Sequence, residues 1–267
     1  MLGLRRAVGT EVVHWLGANK PAYKLDPGFP DGKRALTDFS LAVEPGELVV
    51  ILGGNGSGKT ALLRCIARTV RPTAGEIWLG ETNLCELEGE KLRRARLALA
   101  MIWQHASLVR RRSVLANVAT GSLGRHRSLR TFIGGLPAAE LQAAHGHLAE
   151  VGLGDLAEQR AGTLSGGQAQ RVAIARALAQ RPRVLLADEP VASLDPEAAK
   201  EIMRVLQRLA RSERIAVLCV LHQVELAYAY ADRVIGIRDG RVAFDLPRKE
   251  LSRETVHRLY IQEAVAA

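Results

Sequence analysis

The apolar positions of this chain fall into two patterns, short apolar runs and longer stretches in which apolar side chains recur at helical spacing. A short apolar run predicts a strand, and an uninterrupted one is typical of a parallel strand covered on both faces. The alternation of apolar and polar residues at 35–43 predicts a further, half-buried strand. The runs that predict strands are 48–52, 76–79, 98–103, 182–188, 214–221, 233–237 and 241–244.

Helical spacing predominates between residues 84 and 162, as in Leu141, Leu148 and Val151, and strand patterns are scarce there. The flanking regions mix strands with helices. We therefore expect an α/β protein with a mixed β core and an inserted helical subdomain. The predicted organisation is a core of 26–83 and 163–248, an insertion at 84–162, a C-terminal helix and tail at 249–267, and an N-terminal segment at 1–25 without a clear pattern.

A glycine-rich turn joins the strand at 48–52 to the next helix and has the spacing G-x-x-x-x-G-K-[ST]. Glycines let backbone N–H groups turn inward around a phosphate, and the following helix points its positive end at the same anion. The lysine reaches the β- and γ-phosphates, and the threonine hydroxyl can bind Mg²⁺. An ordinary glycine turn is the alternative, and the strand–turn–helix context argues against it. The predicted nucleotide-binding residues here are Gly53, Gly54, Asn55, Gly56, Ser57, Gly58, Lys59, Thr60 and Ala61.

A second glycine pair stands at the start of another predicted helix. Ser165 is followed by Gly166, Gly167 and Gln168, and a strongly helical run comes next. Ser165 suits the N-cap position, and the glycines leave the helix start open to an anion. The chain therefore carries two phosphate-binding devices far apart in sequence. Because one nucleotide hardly needs both, the pattern indicates a composite site between two chains.

Polar residues follow three of the predicted buried strands. Gln104, the pair Asp188 and Glu189, and His222 each stand at a strand end, where ligands bind in α/β folds. Gln104 and Asp188 are oxygen ligands suited to Mg²⁺, and Glu189 is suited to activating a water molecule. His222 could contact the γ-phosphate and hold Glu189 in place. Taken singly, a surface Gln, a capped turn and a structural His are the alternatives.

Charge and composition narrow the classes of protein. The chain has 267 residues with a net charge of +9, and aromatic residues make up only 4%. Basic clusters at 91–96, 110–112 and 125–127 are not interleaved with aromatics, so we expect no stacking platform for single-stranded nucleic acid and no nucleic-acid partner. An anionic membrane surface or simply solvated faces are the remaining explanations for the clusters. Three widely spaced cysteines predict neither a disulfide framework nor a zinc site.

The beginning of the chain lacks the apolar core of a secretory signal, and no apolar run is long enough to span a membrane, so we expect a cytosolic location. Phe29 is the one early residue of interest. An aromatic shortly before a phosphate loop could stack on adenine. A loop aromatic that caps the core is the alternative.

With these residues in view, the chain resembles the ATP-binding cassette (ABC) ATPases. The segments that carry the resemblance are 53–60 (Walker A), the Gln104 loop, 164–168 (signature), the strand ending in Asp188 and Glu189 (Walker B), the loop 193–195 with Asp195, and His222. The resemblance implies the P-loop NTPase ABC fold and a head-to-tail homodimer that binds two ATP molecules with Mg²⁺. It also implies that Walker A of one chain faces the signature of the other.

The same resemblance assigns roles to residues. Glu189 would be the general base, His222 the sensor of the γ-phosphate, and Lys59 a catalytic contact. Thr60, Gln104 and Asp188 would hold Mg²⁺, and Phe29 falls at the adenine-stacking position, where a Tyr is usual. The helical insertion and the Gln104 loop would meet transmembrane permease subunits.

A narrower resemblance, to the phosphonate-importer ATPases, rests on segments 108–118, 121–125, 187–196 and 221–224. Two departures are Gly54-Asn55, where Pro-Ser is common, and Trp103-Gln104-His105, where Phe-Gln-Gln is usual; neither removes a functional group. This resemblance implies a peripheral subunit on the cytoplasmic face of the inner membrane, served indirectly by a solute-binding protein. Alternatives are import of phosphate, phosphite or another solute, an exporter ATPase, and a soluble cassette protein of DNA repair or translation.

Overall fold

The computed structural model describes residues 36–126 and 135–261, together with the backbone of strand β1 (Val13–Leu16). Phe29, the expected adenine contact, lies outside the described residues. In the described part of the chain, no helix is both long enough and apolar enough to cross a bilayer.

The larger sheet has six strands in the order β10-β9-β3-β8-β7-β6. The five strands from β9 to β6 run parallel, and β10 pairs antiparallel with β9 as a hairpin. Because the parallel strands share a direction, the loops at their carboxyl ends meet at one edge. Its strands are β3 (Leu48–Leu52), β6 (Leu99–Ile102), β7 (Val184–Asp188), β8 (Ala216–Val220), β9 (Arg233–Arg238) and β10 (Arg241–Pro247).

A smaller antiparallel sheet has the strand order β2-β1-β4-β5. It joins β1 to β2 (Ser40–Leu41), β4 (Glu76–Leu79) and β5 (Thr82–Asn83). Residues 13–16 therefore pair with strands from the predicted core, although the sequence showed no clear pattern there.

The helices surround the larger sheet. α3, α4 and α5 pack against one another, while α6 packs on β3 and β8. The helices are α1 (Lys59–Ile66), α2 (Gly89–Ala95), α3 (Val114–Ala119), α4 (Ala138–Glu150), α5 (Gly166–Leu178), α6 (Pro196–Glu213), α7 (Val224–Tyr230) and α8 (Arg253–Tyr260).

Both faces of the six-stranded sheet are covered. Along β3, Val50 belongs to an apolar cluster with helices α3 to α8, whereas Val49 and Ile51 belong to a second cluster with α1 and the smaller sheet. All three side chains are fully buried. Two-sided burial explains why β3, β7 and β8 are uninterrupted apolar runs. The predicted α/β class with a mixed β core is confirmed.

The predicted strand at 35–43 is wrong in extent, because only Ser40–Leu41 is a strand. Asp38 has a φ of +46°, and this left-handed conformation interrupts an extended chain. Leu36 and Phe39 are nevertheless fully buried. The apolar positions there therefore reflect burial against the core and not strand pairing.

The insertion at 84–162 is also less uniform than its sequence pattern. β6 lies inside this range but pairs with β7 in the core sheet. The helical spacing that leads into this region ends with α2 and a short 3₁₀ turn at Arg96–Ala98. The mutually packed helices begin only at α3, and they include α5, which follows the range.

Candidate nucleotide-binding site

Four adjacent strands bring the predicted site residues to one edge of the sheet. The glycine-rich loop follows β3, His222 follows β8, Asp188 ends β7 with Glu189 next to it, and Gln104 follows β6. In the sheet these strands are neighbours in the order β3-β8-β7-β6. Residues separated by more than a hundred positions in sequence thus share one edge.

The loop between β3 and α1 depends on its glycines. A Cβ at Gly53 would lie 2.3 Å from the carbonyl oxygen of Ile237, so β9 approaches too closely for any side chain. Gly56 and Gly58 have φ values of +75° and +105°, which L-residues rarely adopt. The loop therefore keeps a turned backbone that other residues would strain.

Two polar side chains in this loop fit a polyphosphate. The hydroxyl oxygen of Ser57 is buried and has no hydrogen-bond partner among the described residues. The ammonium of Lys59 donates to the carbonyl oxygens of Gly53 and Gly54, at 2.8 and 2.6 Å. A phosphate oxygen is a stronger acceptor than either carbonyl, because a charged acceptor gives a stronger hydrogen bond. The loop thus matches an anionic ligand in both charge and hydrogen bonding.

Thr60 and Asp188 supply paired oxygens beside the loop. The Thr60 hydroxyl donates to Asp188 Oδ1 at 3.1 Å, which joins the first turn of α1 to the end of β7. Burial raises the pKa of Asp188, against a lowering contribution from the Thr60 hydrogen bond. A carboxylate whose charge is penalised by burial gains from a nearby cation. A hydroxyl and a carboxylate are also ligands that Mg²⁺ uses alongside substrate phosphates.

Glu189 and His222 form a close pair of side chains at the edge. His222 Nε2 lies 2.6 Å from Glu189 Oε1. Glu189 adopts a left-handed backbone with a φ of +50°, and its N–H donates to the carbonyl oxygen of Val220 at 3.2 Å. A non-glycine residue in this conformation costs about 1 kcal/mol. The turn places the carboxylate at the strand end beside the imidazole.

The signature residues stand at the start of α5. Ser165 Oγ accepts from the N–H of Gln168, and Gln168 Oε1 accepts from the N–H of Ser165, at 3.2 and 2.9 Å. This reciprocal capping box confirms Ser165 as the N-cap. Cβ atoms at Gly166 and Gly167 would lie 3.2 Å from Leu194 and 3.0 Å from Ala198, so this helix start packs against the loop leading into α6.

Asp195 caps the neighbouring helix. Its Oδ1 accepts from the N–H groups of Glu197 and Ala198, at 3.1 and 3.0 Å, and Pro196 is the first residue of α6. Ser165 and Gly166 remain exposed. The signature is thus an exposed helix start whose glycines face Leu194 and Ala198, in a different part of the chain from the glycine-rich loop.

Gln104 is exposed, and its neighbours are held by residues that the sequence analysis missed. Gln170 donates to the carbonyl oxygen of Trp103 at 3.0 Å. Arg176 donates to those of Ala106 and Ser107, at 2.7 and 2.9 Å. The available signal was the position of these polar side chains within an apolar helical run, because a buried polar group needs a partner.

The structure thus brings together one group of predicted residues and leaves others apart. The loop residues 53–60, Asp188, Glu189 and His222 form the group, and Ala61 continues α1 directly behind them. Gln104 stands at the adjacent strand end. Residues 165–168 and Asp195 lie at the starts of α5 and α6.

A glycine-rich phosphate loop on a parallel sheet, with acids and a histidine at the neighbouring strand ends, defines a P-loop nucleotide-binding cassette. The family model described as ABC transporter matches residues 36–192. The chain therefore belongs to the ABC transporter family, and the predicted P-loop ABC fold is confirmed.

Curated relatives agree with this assignment. The chain is 48% identical over 220 residues to the phosphonates import ATP-binding protein PhnC of Frankia casuarinae, covering 82% of this chain and 87% of that protein. It is 42% identical over 239 residues to PhnC 1 of Rhodopseudomonas palustris, covering 90% and 85%. It is also 45% identical over 239 residues to the phosphite import ATP-binding protein PxtA of Stutzerimonas stutzeri, covering 89% and 85%.

A solved structure gives the same result. The ATP-binding cassette MJ0796, in a dimeric post-hydrolysis state bound to ADP and Pi, is 30% identical with a TM-score of 0.74. The match covers 90% of this chain and 100% of that chain. The resemblance to ABC ATPases stated from the sequence is confirmed.

Proposed function

We propose that this chain is the ATP-hydrolysing subunit of an ABC importer and that it energises the uptake of a phosphonate. The observation that carries the ATPase proposal is the shared sheet edge, where Lys59, Asp188, Glu189 and His222 converge beside a glycine-rich loop. ATP is the substrate of this site, and a transmembrane permease and a solute-binding protein are its partners in transport.

Binding of ATP begins at the glycine-rich loop. Its backbone N–H groups and the N-terminus of α1 face the β- and γ-phosphates. Lys59 exchanges its two carbonyl acceptors for phosphate oxygens, and Ser57 gains a partner for its buried hydroxyl. These donors stabilise the negative charge that develops on the transferred phosphoryl group.

Thr60, Asp188 and Gln104 are the residues that would hold Mg²⁺. When bound, Mg²⁺ neutralises charge on the β- and γ-phosphate oxygens. The Thr60–Asp188 hydrogen bond already holds two of these side chains side by side. Gln104 contributes an amide oxygen from the next strand end.

Glu189 is the general base. Its carboxylate takes a proton from the water molecule that attacks the γ-phosphate. His222, 2.6 Å away, orients that carboxylate and contacts the γ-phosphate. The left-handed turn at Glu189 supports this role, because it directs the carboxylate to the loop end of β7.

The signature segment completes the site in a homodimer. Ser165, Gly166 and Gly167 form an exposed helix start with free capacity for an anion. A head-to-tail dimer places this helix start against the γ-phosphate bound by the other chain. The MJ0796 cassette, which was solved as a dimer bound to ADP and Pi, supports the pairing of two chains.

The general-base assignment is tested with Glu189→Gln. This variant keeps the shape of the side chain but loses the basic carboxylate, so hydrolysis should fall by about 100-fold or more while ATP still binds. Steady-state phosphate release and equilibrium binding of a fluorescent ATP analogue measure the two quantities. Hydrolysis at the wild-type rate in this variant would refute the proposal that Glu189 is the general base.

The transport substrate is proposed from the relatives named phosphonates import ATP-binding proteins. Uptake of labelled methylphosphonate is measured in cells whose transporter contains either the native chain or Lys59→Ala. We expect uptake that disappears with Lys59→Ala and that an excess of phosphate does not compete away. Uptake unaffected by Lys59→Ala refutes the phosphonate assignment and leaves the ATPase proposal standing.

Phosphite is the second candidate substrate, because the chain is 45% identical to the phosphite importer subunit PxtA. Competition by unlabelled phosphite separates the two. Uptake of methylphosphonate that phosphite suppresses more strongly than unlabelled methylphosphonate does would favour phosphite. In either case the chain works at the cytoplasmic face of the membrane, where the permease receives it.

A further inference from the structure

One helix of this chain holds the backbone on both sides of Gln104. Gln170, on α5, donates to the carbonyl oxygen of Trp103, the residue just before Gln104. Arg176, on the same helix, donates to the carbonyl oxygens of Ala106 and Ser107. We name residues 103–107 the Gln104 segment.

These hydrogen bonds are costly to break. Gln170 is only 3% exposed, so loss of its acceptor would leave a buried amide without a partner. Such an orphaned group destabilises the structure, because burial also denies it a hydrogen bond to water. Burial lowers the pKa of Arg176, whose guanidinium donates to the carbonyl oxygens of Ala106 and Ser107. Both side chains therefore hold the backbone of the Gln104 segment through their hydrogen bonds.

The backbone adds a second connection just beyond the segment. The N–H groups of Ala161 and Gly162 donate to the carbonyl oxygens of Arg112 and Arg110, both at 3.0 Å. A Cβ at Gly162 would lie 3.1 Å from the carbonyl oxygen of Arg110, so the backbone segments that contain these two residues are close together. The chain on the far side of the Gln104 segment is thus tied to the residues that lead into the signature.

The opposite end of α5 is the signature itself. Ser165 and Gln168 close its first turn with a capping box. A hydrogen-bonded helix is a rigid element that can carry coupling between two sites. A displacement of Ser165 therefore reaches Gln170 and Arg176, and through them Gln104.

We propose that Gln170 and Arg176 are positioning residues that make Gln104 report on the nucleotide at the other site of the dimer. This inference rests on the proposed function, in which Ser165 contacts ATP bound to the partner chain and Gln104 serves the site of its own chain. Binding of ATP at one site then changes the position of Gln104 at the other site. Coupling between two binding sites is typically worth 5- to 150-fold in affinity.

Hydrolysis kinetics give one test, with the full chain. Gln170→Met and Arg176→Met keep much of the side-chain volume and remove the donors. The matched control is Gln180→Met. Gln180 lies just after α5, and its amide donates to the carbonyl oxygens of Arg96, Leu97 and Leu99, at the opposite end of β6 from Gln104. We expect wild type and the control to hydrolyse ATP with a Hill coefficient above 1. The two test variants should fall to about 1 while still binding ATP, because the coupling of roughly 5-fold or more between the two sites is lost.

Trp103 gives a second test that does not need hydrolysis. In a chain with Trp15→Phe and Trp78→Phe, its emission reports directly on the Gln104 segment as adenylyl-imidodiphosphate is added. We expect an emission change that Ser165→Arg abolishes, because the signature can no longer engage the nucleotide. Gln170→Met should abolish it as well, and Gln180→Met should retain it. Thermal denaturation of each variant verifies that it is folded.

The outcomes separate this inference from the proposed function. A full Trp103 response in Ser165→Arg overturns the inference, since the segment would then follow its own nucleotide. An unchanged Hill coefficient in both Gln170→Met and Arg176→Met overturns it too, as does a wild-type Hill coefficient of 1. A wild-type chain that binds the analogue but hydrolyses no ATP refutes the ATPase proposal, and the Trp103 measurement still decides the inference.

Discussion

Asp188 shows how a functional residue can work against the stability of the chain that carries it. This residue is 7% exposed at the end of a buried strand, and burial raises the pKa of its carboxyl group. The Thr60 hydroxyl is its hydrogen-bond donor, and this bond only partly offsets the cost of burial. A cation at this position would remove the penalty, which is the physical reason to retain an acid there.

Asp188→Asn should therefore stabilise the nucleotide-free protein while abolishing Mg²⁺-dependent hydrolysis. Asn keeps an oxygen for the Thr60 hydroxyl and loses the buried charge, and we expect a gain of about 1 kcal/mol near neutral pH. Because the pKa of Asp188 is raised in the folded state, its carboxyl group does not destabilise the fold below the ordinary Asp pKa. The loss of folding free energy appears as pH rises through the pKa of the folded state. The gain should accordingly vanish near pH 4.

Thermal denaturation in EDTA at both pH values measures the effect of Asp188→Asn. An equal gain at the two pH values would mean that charge burial is not its cause. A lower melting temperature than wild type at neutral pH would contradict the account of Asp188 altogether.

The sequence predicted individual site residues where a short motif directly follows a recognisable apolar strand. The glycine-rich loop, Asp188, Glu189 and His222 follow apolar strands that are easy to recognise. The sequence also predicted that His222 holds Glu189 in place, and the structure brings the two together because β7 and β8 are neighbours in the sheet. Gln170 and Arg176 carry no motif that names their acceptors, because those acceptors are backbone carbonyls.

At the scale of elements, close backbone contacts decide which glycines are replaceable. Gly121 and Gly146 both lie among the helices that pack together around α3, α4 and α5. A Cβ at Gly121 would lie 2.0 Å from the carbonyl oxygen of Arg176 and 3.0 Å from the Cβ of Ala179. A Cβ at Gly146, inside α4, would have no atom within 4 Å. The two glycines form a matched pair in one subdomain.

Gly121→Ala should destabilise the protein, and Gly146→Ala should stabilise it. The first forces α5 away from the 3₁₀ turn at Thr120–Arg125, and overpacking of this kind costs about 1–3 kcal/mol or more. The second removes the entropic cost of a helical glycine, a gain of about 0.4–1 kcal/mol. Urea unfolding of both variants measures these changes, and a stable Gly121→Ala would show that the two elements are not in close contact.

The elements that the sequence predicted well are those with two-sided burial. β3, β7 and β8 are continuous apolar runs because apolar groups cover both faces of the sheet. The predicted strand at 35–43 failed because the same alternation arises when a bent segment buries every second or third residue. β1 has four residues, and its partners β2 and β4 are distant in sequence, so no local pattern indicates it.

At the scale of the whole molecule, the chain carries two phosphate-binding segments, and one of them is exposed. The glycine-rich loop and its acids form one group, and the signature helix start is exposed elsewhere. We propose that a second chain buries the signature against ATP. The sequence predicts a site shared between two chains from its two phosphate-binding devices, and the 30% identical cassette was solved as a dimer.

The central claim is that the hydrolytic site combines the glycine-rich loop of one chain with the signature of another. Lys59→Ala disables the loop, and Ser165→Arg blocks the signature. If the site is shared, a mixed dimer of these variants has one site with both defects and one site with neither.

The measurement is ATP hydrolysis by each variant alone and by an equimolar mixture after subunit exchange. The account predicts that both variants are inactive alone and that the mixture regains activity. A mixture as inactive as its parents, although mixed dimers have formed, would contradict a site shared between chains.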